Sequence, residues 1–131
     1  MESHWIKNIA IRLYTANPAE TQHFYSVILG INCDSISSSQ IIFSFQSTTF
    51  IFTADKQDTS DSTSHLSFEV NEADQFWEAI RFKVNILKPI ADTADGQCRE
   101  FTIFDNNGYQ LHFYERNISQ QLSLNFYDNE L

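Results

Sequence analysis

The stretch LYTANPAETQHFYSVILGI, residues 13–31, contains the end of a strand, a helix start and a helix stop. Asn17 precedes Pro18, whose ring suits the first helical turn, and the Asn17 side chain can accept hydrogen bonds from the free amides there. Glu20 lies where a capping box places a carboxylate. Gly30 follows the last apolar residue and favours the backbone conformation that ends many helices. Three apolar residues at helical spacing predict the core-facing side of this helix: Phe24, Val27 and Ile28.

Strands flank the predicted helix on both sides. Residues 9–15 alternate between apolar and mixed side chains, which is typical of a half-buried strand. Three β-rich runs follow the helix, at residues 32–37, 40–45 and 49–53. The order strand, helix and three strands predicts one βαβββ module over about residues 5–53.

A polar stretch then interrupts the pattern, and the same order begins again. Residues 54–64 (ADKQDTSDSTS) have no periodicity and almost no apolar content, so we predict a linker. The second module spans about residues 65–115, and a tail follows at 116–131. When the two modules are aligned with an offset of about 55 residues, Ile11 aligns with Leu66. The apolar residues of the two first strands then occupy the same alternate positions. The sequence therefore predicts one domain of two tandem modules.

The second module contains its own helix and hairpin signals. His65–Val70 alternates as a strand, and Asn71 with Asp74 can cap a helix. The Asn107-Gly108 pair suits a tight hairpin turn between the last two strands. The core-facing residues of the helix are predicted to be Phe76, Trp77 and Ile80, and the three strands to be 84–90, 99–104 and 109–115.

Composition excludes several classes of protein. The 131 residues include 12 Phe, and 42% are hydrophobic, which supports a packed aromatic interior. Eight basic residues against 17 acidic ones give a formal charge of -9 without a basic stripe, so we expect no nucleic-acid partner. No apolar run approaches the ~20 residues of a membrane span. Cys33 and Cys98 lack the spacing of a disulfide framework, which favours reduced thiols and a cytoplasmic location.

Two parts of the chain together resemble the vicinal oxygen chelate superfamily, which includes glyoxalase I, extradiol dioxygenases, fosfomycin-resistance enzymes and bleomycin-binding proteins. Members show a short strand, an Asp or Asn, and a helix with an FY pair and an LG ending. Here these are Asn17, Phe24-Tyr25 and Leu29-Gly30. The runs HLSFEVNEADQFWE and REFTIFDNNGYQLHFYE are similar to the second module of the family. The resemblance covers about residues 5–115.

The resemblance implies an α+β fold in which the two modules form a curved mixed sheet that encloses a cup, with the helices on the outer face. Strand alternation then turns one set of side chains outward, including Ile9, Ile11, Leu13, Leu66, Phe68, Val70, Leu111 and Phe113. The set that faces a small organic ligand is Arg12, Tyr14, His65, Ser67, Glu69, Gln110, His112 and Tyr114. Relatives often dimerise, so the resemblance also implies a homodimer.

The resemblance leaves the presence of a metal open. Metal-using relatives supply a His from the first strand of each module and a carboxylate from a late strand. The first of these positions is Ala10, which cannot coordinate, the second is His65, and the carboxylate position is His112. Glu69 is the nearest carboxylate on the same face, four residues further along the strand than His65.

Three functional interpretations follow from this ligand pattern. The first is a small-molecule-binding protein, similar to the bleomycin-resistance members, without a complete metal site. The alternative is a metal-dependent lyase, isomerase or dioxygenase in which His65, His112 and Glu69 hold a divalent Zn, Fe, Mn or Ni ion. The third is a relative whose cup serves a partner protein. The tail is either an added strand or interface arm, or a frayed end.

Overall fold

The structure is a computed structural model that describes residues 5–45, 47–55 and 65–117. It contains eight strands, two α-helices and one π-helical segment in that part of the chain. The first module comprises β1 (Ile9–Tyr14), α1 (Pro18–Gln22), β2 (Cys33–Ile36), β3 (Gln40–Phe45) and β4 (Thr48–Thr53). The second comprises β5 (His65–Glu69), α2 (Ala73–Ile80), β6 (Asn85–Asp92), β7 (Cys98–Phe104) and β8 (Gln110–Arg116). The α+β class and the repeated βαβββ order are confirmed.

The described residues divide into two compact units. The first contains the residues up to 55 together with Asn106–Tyr109, and the second contains His65–Asp105 and the residues from Gln110 onward. Each unit has one four-stranded sheet, in the order β1-β4-β3-β2 or β5-β8-β7-β6. The first and last strands of a module pair in parallel and the other neighbours pair antiparallel, so both sheets are mixed. Residues 118–131, which include most of the predicted tail, and residues 56–64 of the linker lie outside the described part.

The Asn17 cap of α1 forms as the sequence predicts, but the carboxylate of Glu20 does not complete a capping box. The Asn17 side-chain oxygen accepts a hydrogen bond from the Glu20 backbone N–H at 3.1 Å. The Asn17 N–H donates to the Thr15 hydroxyl at 3.1 Å. In a capping box, the side chain of Glu20 would accept this hydrogen bond instead. Gly30 has a φ of 77° and follows the last turn. The local signals therefore place this helix correctly.

The predicted apolar side of the first helix is partly wrong. Val27 is 68% exposed, whereas Phe24 and Tyr25 are buried. The helix continues from α1 as a π-helical turn, His23–Ile28, in which the Leu29 N–H donates to the Phe24 carbonyl five residues earlier. Because a π-helical turn holds more residues than an α-helical one, the residues after Phe24 shift around the axis. Tyr25 thereby reaches the core.

The predicted cap of α2 is wrong. The N-cap residue is Glu72, in the left-handed conformation with φ 54°, and its side chain makes no capping hydrogen bond. The carboxylate of Glu115 on β8 instead accepts a hydrogen bond from the Ala73 N–H at 2.9 Å. The carboxylate of Asp74 pairs with Arg99 at 3.0 Å. A strand remote in sequence therefore supplies the cap that Asn71 was expected to provide.

An aromatic cluster between α2 and its sheet forms the core of the second unit. The Phe113 ring lies 5.3 Å from that of Phe68 and 5.0 Å from that of Phe76. The Trp77 ring packs 5.2 Å from Phe101. Leu111 is fully buried and Phe113 is 3% exposed. The alternation predicted for β8 therefore agrees with the burial.

In the first unit, burial is concentrated at the carboxyl end of β1. Leu13 is 1% exposed, but Ile9, expected on the helix-facing side, is 55% exposed. Tyr25 packs against Phe43 and Phe52, with ring centroids 5.3 and 5.0 Å apart. Only the later half of the strand thus contributes strongly to this core.

The loop between β7 and β8 is longer than the predicted tight turn. Phe104 pairs with Gln110, so five residues lie between the paired ends. Gly108 has a φ of 93°, which suits glycine. The loop is extended because Tyr109 is fully buried in the first unit, where its hydroxyl accepts a hydrogen bond from the Tyr14 N–H at 2.9 Å. None of the helices in the described ranges has the length and apolar content of a membrane span.

Candidate functional site

The sheet of the second unit carries an open cleft of about 340 Å³. Residues of β5, β6, β7 and β8 line it, and most of the lining residues on β5, β7 and β8 alternate with the core residues that face α2. Polar and apolar groups are both present. The lining residues are His65, Ser67, Leu87, Lys88, Pro89, Ala91, Glu100, Phe101, Thr102, Gln110 and His112.

Strand register aligns the polar side chains of this cleft. Across the parallel pair, His65 lies opposite Gln110 and Ser67 lies opposite His112. Across the next pair, His112 lies opposite Thr102. Side chains that are directly opposite on neighbouring strands contact one another. The register therefore forms a polar row of Ser67, His112 and Thr102 across three strands.

His112 is the centre of the hydrogen bonding in the cleft. Its Nε2 lies 2.7 Å from a carboxylate oxygen of Glu100, and its Nδ1 lies 3.1 Å from the Ser67 hydroxyl. Because a carboxylate only accepts hydrogen bonds, Nε2 carries the proton that is donated to Glu100. The Nδ1 lone pair then accepts from the Ser67 hydroxyl. The ring also stacks on Tyr114, with centroids 5.5 Å apart and planes at 17°.

Glu100 is a site residue that the sequence analysis did not select. The signal was present, because Glu100 and Thr102 alternate with the buried Phe101 and Ile103 along β7. Alternation alone places Glu100 on the polar face of β7, and the pairing of β7 with β8 brings it to His112.

The predicted ligand-binding residues do not all reach this cleft. His65, Ser67, Gln110 and His112 line it. Glu69 and Tyr114 lie opposite each other on the same two strands, two residues further along than Ser67 and His112. Two further predicted residues lie on β1 in the first unit, the exposed Arg12 and the half-buried Tyr14.

The described residues do not form a metal-binding set. The carboxylate of Glu69 pairs with Arg116 at 3.0 Å, and both ring nitrogens of His112 have hydrogen-bond partners. Within residues 5–45, 47–55 and 65–117, no three His, Cys, Asp or Glu side chains form a group that could hold an ion. A divalent transition metal requires three or more converging donors. The arrangement therefore does not fit the metal that the resemblance allows.

The charges in the cleft are unevenly matched. Glu100 is engaged by His112, while Lys88 has no ion-pair partner in the part of the chain that the structure describes. The apolar Leu87 and Pro89 lie beside Lys88 on the same strand. The cleft thus offers one uncompensated cation next to an apolar wall.

A second depression, of about 300 Å³, lies elsewhere on the second unit. Its two arginines are already paired, Arg99 with Asp74 and Asp92 and Arg116 with Glu69. Cys98 in this depression is a free, half-buried thiol. Because its charges are balanced internally, this depression is the weaker candidate for ligand binding.

Comparison with solved structures identifies the fold. Lactoylglutathione lyase from Agrobacterium tumefaciens matches with a TM-score of 0.68 at 14% identity, covering 82% of this chain and 91% of its own. TioX from Micromonospora sp. ML1 matches with a TM-score of 0.69 at 12% identity, covering 83% and 98%. A putative glyoxalase family protein from Bacillus anthracis matches with a TM-score of 0.68 at 15% identity, covering 89% and 100%.

These matches show the architecture of the chain. It has the two-module fold of solved glyoxalase/bleomycin resistance/dioxygenase proteins. The resemblance noted in the sequence is thereby confirmed at the level of the fold. No family model matches the sequence, and no curated protein matches it. At these identities the likeness concerns the fold alone, and the function has to be argued from the cleft.

Proposed function

We propose that this protein binds a small organic molecule in the cleft of its second unit, through its own side chains and without a metal ion. The observation that carries the proposal is the bonding of His112, whose two ring nitrogens are directed at Ser67 and Glu100. A histidine that ligates a metal needs one nitrogen lone pair directed at the ion. Here the imidazole instead forms part of a polar wall.

The uncompensated groups of the cleft favour a ligand with a carbonyl, ester or single carboxylate group. The ammonium of Lys88 can bind such an oxygen, while Glu69 and Glu100 are engaged by Arg116 and His112. The formal charge of -9 opposes the approach of multiply charged anions. A volume of about 340 Å³ lies at the small end of the range of ligand pockets. The ligand is therefore a small, weakly charged molecule with an apolar part.

Arg12 and Tyr14, on β1 of the first unit, stay predicted ligand-binding residues, as the resemblance implies. The guanidinium of Arg12 is a cationic group suited to the same kind of oxygen. An Arg12→Ala variant tests this part separately. It should weaken binding while the hydrogen bonds around His112 stay intact.

Thermal unfolding with a panel of small molecules tests the proposal. Aromatic esters and monocarboxylates should stabilise the protein, by about 2.7 kcal/mol at 100 times the dissociation constant, which raises Tm by on the order of 10 °C. Lys88→Gln should abolish the shift. Lys83→Gln is the matched control, because Lys83 is exposed and does not line the cleft. Stabilisation only by cationic aromatic compounds, or by none of the panel, would contradict the proposed ligand class.

Metal analysis separates this proposal from the metal-dependent lyase, isomerase or dioxygenase. Protein purified without chelator should contain much less than one equivalent of Zn, Fe, Mn or Ni, and the amount should not change in a His65→Ala variant. One equivalent that is lost in the variant would support the enzyme instead. The homodimer and the cytoplasmic location stay predictions, to be checked by sedimentation and by cell fractionation.

A further inference from the structure

We propose that Ser67 is a nucleophile activated by His112, with Glu100 as its positioning residue, and that the cleft hydrolyses small carboxylic esters. The proposal rests on the proposed function in one respect, since it uses the same cleft and a carbonyl-bearing ligand. It adds an activity that simple binding does not require. It depends on a chain of two hydrogen bonds, Ser67–His112 and His112–Glu100.

The geometry has the parts of a nucleophile, a base and a group that orients the base. The Ser67 hydroxyl lies 3.1 Å from Nδ1 of His112, and Nε2 of the same ring lies 2.7 Å from Glu100. A serine becomes nucleophilic when an adjacent base is held by a third group, and such sets are recognised by geometry and roles. In a serine triad Nε2 usually faces the serine and Nδ1 the carboxylate. Here Nδ1 faces Ser67 and Nε2 faces Glu100, so both partners are present.

The three side chains stand on neighbouring strands of a sheet, which holds them more rigidly than loops would. Ser67 pairs with His112 in the parallel register of β5 and β8, and Glu100 lies on β7 two residues from the partner of His112. Stacking on Tyr114 restrains the plane of the imidazole ring. Ser67 is exposed, so a substrate can reach its oxygen. The nucleophile is therefore accessible while its base is fixed.

The chemistry is ordinary ester hydrolysis with water as the second reactant. Ser67 Oγ forms a bond to the ester carbonyl carbon while its proton moves to Nδ1 of His112. The bond from that carbon to the alcohol oxygen breaks, and the alcohol leaves with the proton. Water then attacks the acylated serine and gives a proton to Nδ1. The bond from the acyl carbon to Ser67 Oγ then breaks, the carboxylic acid leaves, and Nδ1 returns the proton to the serine oxygen.

Two other groups of the cleft support this reaction. Glu100 stabilises the imidazolium that forms when His112 takes the proton, as a carboxylate does in a serine triad. Lys88 lines the same cleft and supplies a cation for the oxyanion that develops on the carbonyl oxygen. Leu87 and Pro89 provide an apolar surface for the acyl or alcohol part.

Labelling with a fluorophosphonate tests the nucleophile directly on the full chain. The expected result is one phosphonyl group per chain, located on the peptide that contains Ser67 by mass spectrometry. Ser67→Ala should abolish the label, and Ser44→Ala, which changes an exposed serine on β3, should not. His112→Gln should slow labelling by roughly 100-fold or more. Failure to label Ser67, or labelling whose rate is the same in His112→Gln, would overturn the proposal.

Steady-state hydrolysis of a p-nitrophenyl ester tests the role of Glu100. Glu100→Gln should lower kcat by at least about tenfold and leave KM unchanged, because Glu100 acts on His112 and not on the ester. A rise in KM with unchanged kcat would assign Glu100 to binding and overturn its positioning role.

The labelling result is independent of the ligand screen. Fluorophosphonates react with an activated serine whether or not the esters of the panel stabilise the protein. Thermal stabilisation that persists in Ser67→Ala, with no label on the wild type, would therefore reject the nucleophile and keep the binding function. Labelling of Ser67 without stabilisation by any member of the panel would support the nucleophile and reject the proposed class of ligand.

Discussion

The side chain of Glu115 accepts a hydrogen bond from the backbone N–H of Ala73 at 2.9 Å, across 42 residues of sequence. The last described strand therefore caps the helix of its own module. The first turn of a helix has free N–H groups that need acceptors, and its dipole favours a negative charge there. This contact joins α2 to β8 by more than the packing of aromatic rings.

Removal of this cap should destabilise the second unit. Glu115→Ala should lower the free energy of unfolding by about 1 kcal/mol, the usual cost of a lost helix cap, whereas Glu115→Gln keeps an acceptor and should lose less. Urea denaturation measures both. Glu78→Ala is the control, because it removes only an exposed ion pair with Arg81 and should change stability by less than about 0.5 kcal/mol. An equal loss in Glu78→Ala and Glu115→Ala would contradict the capping role.

The hydroxyl of Thr21 should be important for the first unit. It lies 2.7 Å from the Thr15 hydroxyl and accepts hydrogen bonds from the side-chain amides of Asn106 and Asn107 at 3.0 and 3.2 Å. Thr21 is fully buried, so Thr21→Val leaves these donors without their acceptor and should cost roughly 1–3 kcal/mol. Thermal or urea unfolding measures the loss.

The same Thr→Val change at Thr49 provides the control for Thr21. The Thr49 hydroxyl accepts one exposed hydrogen bond, from Asn8 at 2.8 Å. Because water can replace that bond, Thr49→Val should change the free energy of unfolding by less than about 0.5 kcal/mol. Equal effects of the two substitutions would show that the hydrogen bonds around Thr21 do not contribute to the free energy of unfolding.

Phe113 should be among the most sensitive core positions of the second unit. Its ring is 3% exposed and packs against Phe68, Phe76 and Phe101. Phe113→Ala should cost about 3–5 kcal/mol in the free energy of unfolding. Phe82→Ala makes the same chemical change where the side chain is 85% exposed, and should cost little. Circular dichroism during urea titration compares the two, and similar losses would be inconsistent with the described core.

Asp95 should contribute to stability in a pH-dependent way. Hydrogen bonds from the Thr93 hydroxyl at 2.6 Å and the Gln97 N–H at 2.9 Å hold the pKa of the Asp95 carboxyl below its ordinary value. Because the pKa is lower in the folded state, the contribution is fully present above the unfolded-state pKa of about 3.9 and is lost as pH falls through the folded value. The difference in stability between wild type and Asp95→Asn should therefore be constant from pH 7 to about 5 and shrink below pH 4. A difference that grows on acidification would contradict this assignment.

Much of the fold could be predicted because its signals are local. Asn17 and Gly30 mark the ends of the first helix through the preferences of neighbouring backbone groups, and alternation placed Leu111 and Phe113 in the core. The cap of α2 could not be predicted, because its acceptor, Glu115, belongs to a strand that only tertiary packing brings close. Val27 is exposed in a π-helical turn. The spacing that predicted it in the core is that of a regular α-helix.

The cleft was only partly predictable for a related reason. Alternation selected Ser67 and His112, which do line it, but it could not give the register that places them opposite each other. Register depends on the pairing of two whole strands and not on one residue. The role of Glu100 follows from a third strand, so the full chain of hydrogen bonds required coordinates.

The long β7–β8 loop has a consequence for the order in which the chain can fold. Tyr109 fills the interior of the first unit, yet it is synthesised after β5, β6 and β7 of the second. A nascent chain that has completed β4 still lacks the hydroxyl that pairs with the Tyr14 N–H and the ring beside Phe52. The first unit therefore completes its core only after the chain has been synthesised through β7 and the loop that follows it.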